Sequence, residues 1–118
     1  MTLSEKKEYL SLYKIHHAKM LRFKELIEDY PDEAQKYKEQ LYEAKLMRDK
    51  IEKEIELLSN PILVEVLAQK YQCGKTLEEI AYCMNYSTRQ IERLHLKALD
   101  EFEIIDLKKP LQNPCQSI

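Results

Sequence analysis

The chain has one glycine and no tryptophan in 118 residues. One glycine cannot form a glycine-rich phosphate cradle, which excludes P-loop and dinucleotide sites. Cys73, Cys83 and Cys115 are odd in number and form no CxxC pair. They suggest neither a disulfide framework nor a zinc site, and are read as buried or neutral reduced thiols, with no metal and no cofactor. No apolar run approaches the roughly 20 residues a membrane span needs. The opening "MTLSEKKEYL" lacks a signal-peptide apolar block, so the cytoplasm is the expected compartment. A dominant charge is missing too: 19 basic against 21 acidic residues give a net charge of −2. No global field draws such a chain onto nucleic acid or membrane.

What is abundant is Lys, Glu and Leu, the profile of an all-α protein. Tyr9, Tyr13, His16, Met20, Phe23, Ile27 and Tyr30 recur at steps of four and three, a heptad seam that Leu12 and Leu26 widen. "YPDEA" breaks it, because Pro31 disfavours helical geometry at Tyr30 and suits the first turn of a new helix. The seam resumes as Ala34, Tyr37, Leu41, Ala44, Arg48, Ile51, Ile55 and Leu58. Two matched runs across a short break predict a long, coiled-coil-like antiparallel helical hairpin over residues 1–59. Arg48 is the misfit on that seam; it snorkels or meets an acid of another chain. A lone hairpin buries little surface, so its stripe needs a third element, either a second copy or the chain's own C-terminal helices. Self-association is the favoured reading, which makes a homodimer through the hairpin the expected state. Ile51→Asp or Phe23→Asp is then expected to dissociate it.

Residues 60–106 read as a compact helical unit, and 107–118, with two prolines and no periodicity, as a flexible tail. Asn60 can cap a helix starting at Pro61 and stopping near Gly74. "TLEE" from Thr76 and "STRQ" from Ser87 are capping boxes opening two further helices, the second expected over 87–106. Counting from Leu77, a helix-turn-helix needs apolar residues at the fourth, eighth, tenth, fifteenth and eighteenth places. Ile80, Met84, Tyr86, Ile91 and Leu94 occupy them. Ala81 supplies the small residue where the helices cross. Asn85 suits the left-handed residue that ends the first helix.

With Ile91, Leu94, Ala98 and Leu99 inward, the last helix exposes Thr88, Arg89, Glu92, Arg93, Leu96 and Lys97. Arg89, Arg93 and Lys97 form a basic ridge at four-residue steps. Such a helix enters the major groove of double-stranded DNA with Thr88, Arg89 and Arg93 near base edges and Lys97 nearer phosphate. Glu92 accepts from a cytosine amino group or excludes a wrong base, and Leu96 suits protein contact better than phosphate. Between Asn60 and Lys109, however, seven Lys/Arg face eight Asp/Glu. Phosphate neutralisation supplies most non-specific affinity, so monomeric binding is expected to be weak.

The stretch "LAQKYQCGKTLEEIAYCMNYSTRQIERLHLKALDEF", residues 67–102, resembles the promoter-binding region four of bacterial sigma factors in its "KTLEEIA" opening, its helix-starting Ser87 and its closing "KAL". With the hairpin, the chain is similar to small sigma-like regulators of phages and prophages, such as late-gene activators of the ArpU and RinA kind. The resemblance implies transcription regulation at promoter DNA, with RNA polymerase as a further contact. It places Thr88, Arg89, Glu92 and Arg93 at base-reading positions. Asp100, Glu101 and Glu103 stand where basic residues commonly follow the "AL" in that family. An enzyme is not expected: adjacent His16 and His17 point to different sides of a helix, His95 lies far along the chain, and no Ser/His/Asp or Cys/His set assembles. The rival is a protein-interaction adaptor whose hairpin binds polymerase or another protein, with the helix-turn-helix only a scaffold.

Overall fold

A computed structural model describes residues 1–105. Five α-helices, α1 (Leu3–Asp29), α2 (Ala34–Glu56), α3 (Pro61–Leu67), α4 (Leu77–Met84) and α5 (Thr88–Glu101), make it all-helical, with no strand among the described residues. None of the helices is long and apolar enough to cross a membrane. The expected tail, 107–118, lies outside the described residues, as does Cys115.

Thr2 and Glu5 form a capping box that starts α1. A single 3-10 turn, Pro31–Glu33, reverses the chain into α2. The two long helices pack as the expected antiparallel pair, of about 40 and 35 Å at about 1.5 Å per residue. In its outer half Met20, Phe23 and Ala44 are buried, and the Phe23 and Tyr37 rings lie 6.2 Å apart. Tyr30 does not join the seam; it is exposed where the chain turns. Arg48 finds its acid next door, donating to Asp49 at 3.0 Å and bonding His17 Nδ1 at 3.2 Å.

The inner half has a third layer. Leu10, Ile51 and Ile55 form one core with Leu63, Leu67, Tyr71, Ala98, Leu99 and Phe102. The hairpin's base therefore folds back on the chain's own C-terminal helices, the alternative to self-association there. Ile51 faces this internal core and is fully buried. An aspartate at that position attacks folding, not an interface between copies.

Two residues outside the heptad register, Leu10 and Glu54, are buried because this third layer covers a face beside the seam. Glu54 accepts from the Tyr9 hydroxyl, from Lys50 Nζ at 2.6 Å and from the Ile105 backbone N–H at 2.6 Å. Three donors compensate a buried carboxylate that would otherwise be costly. Burial first, then the adjacent carboxylate, push the Tyr9 hydroxyl well above the usual tyrosine range.

The same contact explains where α5 ends. The helix stops at Glu101, five residues short of the expected 106. Phe102 turns extended and enters the core 6.0 Å from the Tyr9 ring, while Glu54 takes the Ile105 amide that a longer helix would have bonded internally. Lys6 completes the end by donating to the carbonyls of Leu99 at 2.8 Å and Asp100 at 3.2 Å. An ammonium there offsets the negative end of the helix.

Candidate nucleic-acid interface

The second half of the chain is shaped by its caps. Asn60 accepts from the Ile62 amide at 2.8 Å and opens α3 with Pro61 in its first turn. The α-helix passes at Ala68 into a π-helical turn ending at Gln72. Gly74, at φ +77°, then reverses the chain. Thr76 and Glu79 close one capping box, with bonds of 2.8 and 3.1 Å. Ser87 and Gln90 close the other, at 2.9 and 3.1 Å. Between them Asn85 is left-handed (φ 63°, ψ 40°), the only non-glycine residue with positive φ among those described. Its neighbour Tyr86 donates its backbone N–H to the Ala81 carbonyl at 2.9 Å, which tightens the corner.

Ile80, Ala81 and Ile91 meet Val66 of α3 in a second small core, with Leu77, Met84, Tyr86 and Leu94 packed around it. Ala81 sits where α4 and α5 approach, and it is buried. The corner rests on α3, and α5 also rests on the hairpin, so the outer face of α5 is displayed by a packed base.

That outer face carries Arg89, Glu92, Arg93, Leu96 and Lys97, all exposed. Thr88 is half-buried at the first turn and less open than its sequence position suggests. The ion pairs among the described residues are Lys45–Asp49, Arg48–Asp49 and Lys50–Glu54, all on α2. Arg89, Arg93 and Lys97 are thus three cations, one turn apart, engaged with no described carboxylate. Glu92 lies beside them without pairing.

No family model, curated protein or solved structure matches the chain. What the face can bind is therefore decided by its own side chains. Guanidinium forks suit paired acceptors such as guanine O6 and N7, or phosphate oxygens. Leu96, 50% exposed on the same face, suits neither. Tyr82 on the outer side of α4 is 89% exposed and forms a second apolar point. Cys73 and Cys83, expected to be buried or neutral reduced thiols, are free thiols and both are exposed.

Behind the ridge lies a pair that pattern reading overlooked. His95 is buried, and its Nε2 is hydrogen-bonded to the Tyr71 hydroxyl at 2.9 Å. Burial, then the ammoniums of Lys70 and Lys7, depress the imidazole pKa to about 4, and burial raises the Tyr71 hydroxyl to about 12. The native state holds the ring neutral, whereas the unfolded chain protonates it near pH 6.5. Stability from this site is complete above pH 6.5 and falls as pH drops towards 4. Denaturant melts of the native chain and of His95→Gln, compared between pH 7 and pH 4, are expected to diverge by about 2–3 kcal/mol, with the native chain losing more. Parallel curves would remove the neutral imidazole from this account.

Proposed function

We propose that the chain is a DNA-binding transcriptional regulator whose corner α4–α5 works as a sigma region four-like helix-turn-helix, with α5 reading promoter or operator DNA in the major groove. The reading is carried by the basic ridge: Arg89, Arg93 and Lys97 stand exposed and without a described ion-pair partner on a capped helix. Arg89 and Arg93, in the N-terminal half of α5, take base edges, as does Thr88. Glu92 tests the cytosine side, and Lys97 takes phosphate. The near-neutral remainder gives little non-specific grip, so two half-sites bound by a dimer, or a polymerase already on the promoter, supply the rest of the affinity.

The dimer we assign to the hairpin, through apolar side chains that its own fold leaves out: Ile15, Leu21, Tyr42 and Leu46 are exposed along it. Sedimentation at tens of micromolar decides this. A dimer is expected, and a persistent monomer removes the hairpin contact.

A titration of labelled random duplex at stepped salt tests the main reading. Binding that weakens linearly in log K against log salt is expected, since each phosphate contact releases counterions. Exposed Leu96 and Tyr82 favour the second reading, an adaptor that binds polymerase or another protein. That protein would leave duplex unbound at any salt.

A further inference from the structure

We infer that Lys14, Lys70 and Lys75 form a seat for a phosphate group, occupied by a backbone phosphate of the duplex that α5 reads; the DNA source rests on the proposed function. The three lysines come from α1, the π-helical turn and the loop before α4, and they line one cavity of about 280 Å³. Ser11, Tyr71, Gly74 and Thr76 complete the wall, and no carboxylate lines it. None of the three ammoniums is in an ion pair among the described residues. In a chain with more acids than bases, three lysines around a hollow that no carboxylate lines make a local cationic site suited to an anion.

The chain's only glycine serves this hollow. A Cβ at Gly74 would lie 2.5 Å from Lys14 Nζ, so the missing side chain makes room for the hairpin's ammonium. Lys75 Nζ donates to Gln69 Oε1 at 3.4 Å and approaches Cys83 Sγ at 3.5 Å. Lys70 lies 5.7 Å from the Tyr71 ring centre. The N-terminus of α4 is already closed by Thr76 and Glu79, so the seat depends on the ammoniums and not on free helix amides.

A phosphate bound there would add a backbone contact that the near-neutral C-terminal unit lacks, and would bring Lys14 of the hairpin against the duplex. The test compares the native chain, Lys14→Gln and the triple variant Lys14→Gln/Lys70→Gln/Lys75→Gln on random and selected duplexes across salt. The triple variant is expected to lower the log–log salt slope by about 1 and to weaken both duplexes by the same factor, which marks a phosphate contact. Lys14→Gln changes an exposed position of α1, so it reports even if the triple variant unfolds. Its slope is expected to move in the same direction. Folded variants with the native slope would overturn the seat on DNA. A second arm adds pyrophosphate to labelled protein and follows the Gly74 and Thr76 amides. Shifts in the native chain that vanish in Lys14→Gln, without any duplex binding, keep the phosphate seat while refuting both the DNA source and the α5 reading. No shift and no slope change would end the proposal.

Discussion

Replacing Arg89 and Arg93 together by alanine is expected to weaken duplex binding by about 30-fold or more while leaving the melting curve of the protein unchanged. Both side chains are exposed and form no ion pair among the described residues, so their removal takes nothing from the fold. A guanidinium bidentate to a base edge is worth about 1–3 kcal/mol, and two of them about 2–6. The loss should be larger on a selected operator than on random sequence, because base contacts discriminate and phosphate contacts do not. Lys97→Ala should instead weaken both duplexes alike. Quantitative gel shifts on both duplexes read these outcomes. Native affinity in the folded double variant would remove α5 as the reading helix.

Ile51→Asp is expected to destabilise the native fold severely. The side chain is fully buried in the core shared by α1, α2, α3 and α5, and an unpaired carboxylate there has no donor to meet it. The cost exceeds about 4 kcal/mol against a typical total of about 5–15, and shifts the melting temperature by on the order of 20 °C. Phe23→Asp, in the outer half of the hairpin, leaves that core intact and should produce a smaller loss. Thermal denaturation followed by circular dichroism measures both. An Ile51→Asp chain with a native melt would mean that the hairpin base is not part of the core.

Much of the architecture was legible in local pattern. Heptad steps and Pro31 locate α1, the turn and α2, because each depends on neighbours within one turn of helix. The caps at Asn60, Thr76 and Ser87, and the left-handed Asn85, are equally local and appear where the residue types place them. What escaped reading depends on partners distant in sequence. Leu10 and Glu54 lie off the seam and are buried by a third layer that no periodicity announces. Phe102 ends α5 early for the same reason. The buried His95 sits between exposed Leu96 and half-buried Leu94, and only Tyr71, 24 positions earlier, explains it. On the candidate interface, helical spacing foretold the exposure of Arg89, Arg93 and Lys97. The lysine hollow could not be foreseen, since its members are spread from residue 14 to residue 75.

The lysine that caps α5 joins positions 93 and 94 apart in the chain, and Leu10 meets Phe102 in the same core. Closing so long a loop carries an entropy cost that is met only when both ends are present together. The hairpin, whose partners are near in sequence, can form during synthesis. The helix that carries the basic ridge gains its final support last, after nearly the whole described chain has been made.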